Sequence, residues 1–488
     1  MDMPGRPPAN TFECVEAIAL REPQRLAIVQ HERAWSYGDF HLDLVRVTRV
    51  LHELGVRRGD RVAVGTSGLQ SGLVLLIAAE NLGAVTASFL YEDDPDADNL
   101  FKIVDWVFSI KPVPVPDGVR NVVIGPEFIE RVQRADVSDI STLPRVPLAW
   151  DEPQRIARTS GSSGHSKFML LTRHAQEWFL RSGADNGGYR PESRLLLAGP
   201  LVMNVIFVRA SVCVRMGATV LSMRPSDLAE VDLTHLLVLP ATLEEILRGL
   251  PAGYSAPRPI QVQTVGGFVS PQLRERTAKV FGTRITNRYG ANEVSGICDD
   301  LDAQGTGVVS VGVDVRIVDP STGSELPPGE MGIVEVRSPA MTDGYIGEPE
   351  ATKAAFRDGW FHSGDWGTLV APRVLRLAGR IDDLVNIGGI KVPAAKVEAE
   401  VRDIAQAADC AVLAINLDAG QTQIGIALVI DPRASRDELR KRIATELKLG
   451  ASMRARILFL PQLPRMANGK IDRIGLHRMF ASPPEGSL

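Results

Sequence analysis

Arg158-Thr159-Ser160-Gly161-Ser162-Ser163-Gly164-His165-Ser166-Lys167-Phe168-Met169-Leu170-Leu171-Thr172-Arg173 is the stretch on which the reading of this chain turns. Four hydroxyl residues, Thr159, Ser160, Ser162 and Ser163, interleave with Gly161 and Gly164, and Lys167 follows. Glycine lets the backbone turn successive N–H groups towards one point, and small hydroxyls add donors without bulk. Lysine adds a compact positive charge. Such a loop suits a polyphosphate, although a flexible connector has the same composition. It is not a Walker loop, which requires Gly-Lys-Ser/Thr, because Ser166 precedes Lys167 here.

Working outward, alternating strands and helices lie on both sides of the loop. Phe40, Leu44, Val47, Leu51 and Leu54 sit at spacings of four and three, one face of a helix over 39–54 that stops at Gly55. A buried strand at 61–65, a helix over 69–82 and a strand over 85–89 follow. Prolines at 112, 114, 116, 126, 144 and 147 then leave mostly irregular chain around a strand at 122–125. After the loop, 174–181 reads as a helix. Strands are expected at 194–198, 218–223, 235–239, 260–265 and 283–287, with helices at 205–216, 241–249 and 270–281. The last opens with Ser270 as N-cap and Pro271 in the first helical position.

Alternation of this kind builds mostly parallel sheet with helices on both faces. From 308 to 338 the period changes to two, in strands at 309–319 and 332–338 around Pro327-Pro328-Gly329. That marks a small β-rich subdomain. Beyond Arg380 the chain begins again as a separate α+β unit. Its expected strands are 384–387, 409–416, 423–430 and 456–460, and its helices 393–404 and 436–447. The expected fold class is α/β: a large N-terminal part of stacked, mostly parallel sheets with a small β-rich subdomain, followed by a small α+β C-terminal domain. The division is 1–379 and 380–488.

Composition excludes several classes of function. The 488 residues are 44% hydrophobic and 23% charged, with a formal net charge of −5 and no long run of one sign. Nucleic acid is therefore not an expected partner, and no polybasic membrane anchor is present. Cys14, Cys213, Cys298 and Cys410 are far apart and have no metal-ligand spacing, the pattern of buried thiols in a reducing compartment. No signal-peptide core precedes Thr11. The apolar stretch 73–90 is broken by Glu80, Asn81 and Gly83, and 195–221 by Pro200, Asn204, Arg209 and Arg215. Both read as core elements and not as membrane spans. A soluble cytoplasmic protein is expected.

Further stretches fit nucleotide chemistry. Asn287-Arg288-Tyr289-Gly290-Ala291-Asn292-Glu293 follows an expected strand, where ligands bind in open α/β sheets. Tyr289 can stack on a base and Glu293 can offer oxygen to Mg²⁺, although a Tyr-Gly turn with a solvated Glu has the same sequence. Gly359-Trp360-Phe361-His362-Ser363-Gly364-Asp365 offers a carboxylate on a glycine turn, and His362 there reads as a packed or exposed loop residue. In Gly379-Arg380-Ile381-Asp382-Asp383 the charges suit a solvated linker or a ribose contact. Lys470, in Asn468-Gly469-Lys470, reads alone as a surface residue.

Taken together, Thr159–Lys167, Tyr289–Glu293, Ser363–Asp365, Gly379–Asp383 and Asn468-Gly469-Lys470-Ile471-Asp472-Arg473 resemble the adenylate-forming superfamily. Its members are acyl-CoA synthetases, the adenylation domains of peptide synthetases, and luciferases. Gly329-Glu330-Met331-Gly332 and Gly344-Tyr345 agree, and the resemblance runs from about residue 11 to 480. It implies a hinge between the large part and a mobile C-terminal domain. It also implies two steps: a carboxylate attacks the α-phosphorus of ATP to give acyl-AMP and pyrophosphate, and a thiol then displaces AMP to give a thioester.

The resemblance assigns roles to residues. Thr159, Ser160, Gly161, Ser162, Ser163, Gly164 and Lys167 would hold the phosphates, and Glu293 would bind Mg²⁺. Gly266, Gly267, Tyr289 and Gly290 would frame the adenine, and Asp365 and Arg380 the ribose. Lys470, with Glu293 and Asn292, would act in adenylation; Asp382 would be the hinge, and Gly388 and Gly389 would border the thiol channel. Met203, Asn204, Phe207, Phe268 and Ser295 would line the acyl pocket, although an apolar stretch there also suits plain core packing.

Three departures stand out. Asn292 occupies the position where the family usually has Thr, and can still hydrogen-bond the α-phosphate. Ser166 replaces the usual proline. Pro200-Leu201 is followed by Val202-Met203-Asn204, where many acyl-CoA synthetases carry an aromatic-His gate. No aspartate occurs in 201–208 to pair with an α-amino group, which disfavours a plain α-amino acid. The implied substrates are ATP with Mg²⁺, an aliphatic or aryl carboxylic acid, and CoA or the phosphopantetheine of a carrier protein. An acid–CoA ligase leads, ahead of a carrier-loading enzyme and a non-catalytic nucleotide-binding homologue. A monomer or homodimer is expected.

Overall fold

The computed structural model describes residues 9–159, 166–224, 227–228, 231–267, 269–380, 384–387, 390–417, 421–447, 455–465 and 471–482. Internal contacts divide the chain into two compact units. The first comprises Met1–Leu301, Ser310–Asp314 and Val336–Phe361; the second comprises Asp302–Val309, Val315–Glu335 and His362–Leu488.

The first unit is the expected α/β part. Its six-stranded sheet has the order Arg120–Val123, Trp106–Ser109, Arg61–Gly65, Val85–Ser88, Pro153–Thr159, Lys167–Thr172. Neighbours run parallel except the last two, which form an antiparallel hairpin. A second run of strands, in the order Ser295–Asp299, Thr286–Ala291, Gln261–Val265, His235–Val238, Arg194–Ala198, Thr219–Ser222, Leu26–Gln30, Arg33–Ser36, is parallel inside and antiparallel at both ends. Parallel strands covered by helices are apolar on both faces. That is why Val62, Ala63 and Val64, and Leu195, Leu196 and Leu197, are all buried in succession.

Local chemistry accounts for the helices. The helix Tyr37–Leu54 starts at a capping box between Ser36 and Asp39 and stops at Gly55, whose φ is +104°. The Tyr37 hydroxyl lies 3.1 Å from the Val214 carbonyl and 2.9 Å from that of Ala218, at the end of the helix Asn204–Arg215. The helix Leu69–Asn81 is buried nearly all round, so the apolar stretch 73–90 is a core helix followed by a strand. Among the described residues no helix is long and apolar enough to cross a membrane.

Several expectations need correction. The helix Thr11–Arg21, capped by Asn10 and Glu13, was not anticipated. The strand expected at 283–287 is Thr286–Ala291, because its pairing with Ser295–Asp299 carries it onward through Tyr289 and Gly290. The strand expected at 309–319 is two, Thr306–Val309 and Asp314–Val318, with Gly312 between them at φ +79°. The strands of the loop hairpin, Pro153–Thr159 and Lys167–Thr172, were not foreseen either.

The second unit has strands in the order Asp314–Val318, Gly332–Arg337, Trp360–Ala371, Val374–Arg380, Thr306–Val309. It continues with the hairpin Leu384–Ile387 and Ile390–Pro393 and a three-stranded sheet of Asp409–Leu417, Gln421–Val429 and Ala455–Phe459. Period-two alternation sorts this sheet's faces. Cys410 and Val412 pack with the helices Ala394–Ala405 and Arg436–Glu446, whereas Ala411, Leu413 and Ile415 pack with Leu476 and Phe480 of the helix Arg473–Ala481. Buried Glu398 is held by the Val412 amide at 2.9 Å and Arg473 at 3.1 Å. Arg380, the expected start of the C-terminal domain, ends the strand Val374–Arg380.

Tyr37→Phe keeps the ring and leaves the two carbonyls without their donor. Stability in urea denaturation should fall by about 1 kcal/mol with an unchanged m-value.

Candidate functional site

The phosphate-loop stretch rises from the end of the antiparallel hairpin, where Thr159 pairs in register with Lys167. Ser160, Gly161, Ser162, Ser163 and Gly164 lie outside the described residues. Both stems below them are gripped by the acidic segment that follows the strand Val85–Ser88. Asp94 takes the Arg158 guanidinium with both oxygens, at 2.8 and 3.0 Å, and Asp96 lies 3.5 Å from it. Asp96 also accepts from the Ser166 amide at 3.0 Å. The Asp94 side chain is 1% exposed, and its oxygens accept from the Leu90 and Asp96 amides as well. Paired and hydrogen-bonded in this way, a buried carboxylate is a stable anchor.

The turn between the strands Thr286–Ala291 and Ser295–Asp299 meets this hairpin. Asn292 Nδ2 donates to the Arg158 carbonyl at 2.7 Å, one residue before Thr159. Glu293, buried beside it, accepts from the Tyr345 hydroxyl at 2.7 Å through Oε1, and its carbonyl accepts from the Thr342 amide at 3.0 Å. Ser338 donates to the Val294 carbonyl at 2.6 Å, so the segment 338–345 clasps the turn from outside. The Lys167 ammonium lies 5.0 Å from the centre of the Tyr345 ring. Thr159, Lys167, Asn292 and Glu293 are thereby brought together, with Tyr345 between the ammonium and the carboxylate. A positive group and a carboxylate flanking a loop of donors can grip a metal-bound polyphosphate.

Gly266 and Gly267 form a turn after the strand Gln261–Val265, with Gly266 at φ +78°. Asn287 Nδ2 donates to the Gly267 carbonyl at 3.3 Å, and Asn287 Oδ1 accepts from Thr264 at 3.1 Å. This holds the glycine turn next to the strand of Tyr289 and Gly290. Ser295 is buried at φ +70°, and a Cβ on Gly290 would come within 2.7 Å of its carbonyl oxygen. Tight backbone contact across this hairpin therefore requires glycine at 290.

Met203 caps the helix Asn204–Arg215 and is part-buried, whereas Asn204 and Phe207 are buried. Asn204 Oδ1 accepts from Arg155 Nε at 3.0 Å, and the Arg155 guanidinium stacks 3.7 Å from the Phe207 ring centre. Arg155 also donates to Thr86 at 3.3 Å and Ser88 at 3.1 Å. Burial pulls its pKa down to about 10, with the nearby Glu80 carboxylate opposing the shift. Sequence reading missed Arg155 and the Asp94–Arg158–Asp96 cluster. The only signals were the acidic run 92–96 and an arginine next to Thr159, which single positions do not distinguish from surface charge. A cavity of about 150 Å³ lies nearby, lined in part by Gly72, Ser88, Phe89, Pro200 and Leu201. None of the expected site residues among those described lines it.

In the second unit Asp365 and Arg380 are register partners on adjacent strands, and the Asp365 amide donates to Ser363 Oγ at 3.0 Å. Phe268, Asp382, Gly388, Gly389 and Lys470 lie outside the described residues, and the Arg380 side chain is not described.

Tyr345→Phe removes the donor that orients Glu293 and leaves the ring beside Lys167. Affinity for magnesium ATP, read by calorimetry, should fall about tenfold with the melting temperature unchanged within a few degrees.

A family model for AMP-binding enzyme matches residues 107–346. The chain is 27% identical over 487 residues to a feruloyl-CoA synthase of Amycolatopsis sp, covering 95% of this chain and 97% of the relative. It is 25% identical over 485 residues to a 2-succinylbenzoate–CoA ligase of Bacillus cereus, covering 94% and 97%. Its fold is that of ATP-bound MatB from Rhodopseudomonas palustris, with a TM-score of 0.83, 22% identity, and coverage of 97% and 99%. With the motifs in their order and the loop hairpin joined to the Asn292-Glu293 turn, these likenesses establish that the chain belongs to the adenylate-forming superfamily of AMP-binding enzymes, as an acyl-CoA synthetase-like ligase.

Proposed function

We propose that the enzyme uses ATP to activate a carboxylic acid and passes the acyl group to a thiol, that of CoA. In the first step a carboxylate oxygen bonds to the α-phosphorus as the bond to pyrophosphate breaks. In the second the thiol sulfur bonds to the acyl carbon, AMP leaves, and the thiol proton is released. The observation that carries this reading is the meeting of Lys167, Tyr345 and Glu293 beside the hairpin ends at Thr159 and Lys167. Among the described residues no carboxylate pairs with Lys167, so its charge is available to an anionic ligand.

Charge crowds the phosphates in the first step, and fixed opposite charge and oriented N–H groups stabilise it. Lys167 and the loop 159–164 hold the β- and γ-phosphates. One Asn292 N–H is committed to Arg158, which leaves the other to reach the α-phosphate. Magnesium held by one carboxylate and substrate phosphates suits Glu293, whose carboxylate is oriented by Tyr345. When bound, the ion neutralises phosphate charge. Gly266, Gly267, Tyr289 and Gly290 frame the adenine, and Asp365 and Arg380 take the ribose.

Lys470 bridges the carboxylate and the α-phosphate. The domains are 1–379 and 380–488, hinged at Asp382, and turning of the second brings Gly388 and Gly389 to the thiol channel. Met203, Asn204, Phe207, Phe268 and Ser295 bound the acyl pocket, and the substrate is an aliphatic or aryl acid. The relatives' names, feruloyl-CoA synthase and 2-succinylbenzoate–CoA ligase, support an aryl acid. Four free thiols support a cytoplasmic setting, for a monomer or homodimer.

Pyrophosphate release across a panel of carboxylic acids, with CoA, without it, and then with carrier proteins, tests the reading. Acid-dependent release with acyl-CoA as product is expected; product made only with a carrier would replace CoA by the carrier, and no release with any acid would refute the ligase. Lys470→Ala should slow adenylation by about a hundredfold or more, yet spare thioester formation from supplied acyl-adenylate. Equal loss of both steps would refute that division of labour.

A further inference from the structure

The helix Asn204–Arg215 carries Arg209 one turn beyond Val205, on the same face. Arg209 is only 2% exposed. Its Nη1 donates to the Gly183 carbonyl, its Nε is buried without a partner, and among the described residues no carboxylate pairs with it. Arg288, immediately before Tyr289, is its neighbour: the like charge of Arg209 adds to burial in pulling the Arg288 pKa down. Arg288 is itself paired, with Nε 2.8 Å from Asp299 Oδ1 and Nη2 3.1 Å from Ser182 Oγ. The second Asp299 oxygen is taken by the Ser310 hydroxyl at 2.8 Å.

Among the described residues no neighbour supplies the missing negative charge. Burial pushes the Tyr189 hydroxyl and the Cys213 thiol up, so both stay neutral, and burial pulls His235, in ring contact with Tyr189, down to its neutral form. Arg288 thus has part-exposed Asp299 as its counter-ion, and Arg209 has none among the described residues. The backbone is also cut back to admit them. A Cβ on Gly183 would come within 2.8 Å of Arg209 Nη1, and one on Gly296 within 2.5 Å of Arg288 Nη2.

A buried charge without a counter-ion is strongly unfavourable, and an apolar side chain of similar size would serve packing better. Arg209 stands on the helix opened by Met203 and Asn204, and Arg288 and Gly296 on the hairpin of Tyr289 and Ser295, the elements read above as the acyl pocket. We propose that the counter-ion is the substrate: the acid carries a second carboxylate at its far end, and Arg209 is the specificity-determining residue that receives it. Asp299 and Ser182 hold Arg288 alongside as a positively charged wall. Specificity of this kind is strong, because an acid lacking the second carboxylate leaves the buried guanidinium unpaired.

The proposal rests on the acid-activating reading, and direct binding separates the two. Benzoate against terephthalate, and hexanoate against adipate, are compared by calorimetry without ATP and by pyrophosphate release with ATP, in the wild-type protein, Arg209→Met and Arg209→Lys. The diacid should bind about tenfold to a hundredfold more tightly than its monoacid partner. Arg209→Met should erase that preference and Arg209→Lys retain part of it, with ATP-induced thermal stabilisation unchanged in both. Equal affinity of the wild-type protein for monoacid and diacid would overturn the proposal, even if Arg209→Met did not fold; so would a preference that survives in Arg209→Met. Arg209-dependent diacid binding with no pyrophosphate release would uphold it and remove the ligase reading. Release with monoacids alone would do the reverse.

Discussion

The grip of Asp94 and Asp96 on Arg158 and the Ser166 amide is the constraint on which the rest of the first unit's site depends. The two strand ends that flank the glycine- and hydroxyl-rich stretch are held from outside their own hairpin. Here each stem is tied: one through a two-pronged carboxylate–guanidinium pair, the other through a backbone amide on a carboxylate oxygen. Burial of Asp94 removes the water that would otherwise compete for these bonds. The Arg158 carbonyl then passes the constraint to Asn292, and so to Glu293 and Tyr345. One arginine thereby coordinates the hairpin, the acidic segment and the turn that carries the proposed magnesium ligand.

Asparagine at 292, where the family usually has threonine, acquires a reason from this contact. Its longer side chain spans to the Arg158 carbonyl, and the amide has a second N–H to spare, whereas a hydroxyl has a single hydrogen to give. The segment after Pro200-Leu201 contributes to the packing of a buried arginine. Asn204 and Phe207 pack on the Arg155 guanidinium, which Thr86 and Ser88 also hold. The interior of this unit therefore contains two kinds of buried arginine. Arg155 is surrounded by neutral acceptors and an aromatic face near the Glu80 carboxylate, while Arg209 has a single carbonyl and an unpartnered Nε. The first has the partners of a structural group. The second lacks the partner that a buried charge demands.

What residue pattern alone determined was the class of fold and the chemistry. Periodicity and caps mark the helices well because they are local: Ser36 with Asp39, Ser270 with Pro271, and Gly55 at a left-handed C-cap each act within a few residues. The buried parallel strands are legible for the same reason, as short apolar runs. Five motifs in one order then identify the family. The strand through Tyr289 and Gly290, the hairpin stems beside Thr159 and Lys167, and the break at Gly312 were not legible. Those boundaries are set by which strand pairs alongside, and pairing joins residues far apart in the chain.

Only the tertiary structure decided which charges meet. Asp94 stands 64 positions from Arg158, Tyr345 stands 52 from Glu293, and Arg209 meets Gly183 across 26. Nothing local in an acidic run or an isolated arginine separates a solvated side chain from a buried one, because burial is conferred by neighbours from other elements. The sequence by itself determined the family of this chain and the glycine, hydroxyl and lysine pattern of 159–167 that marks it. The fold decided that Asp94 holds Arg158 at the start of that stretch, and that one buried arginine is left with no carboxylate among the described residues to balance it.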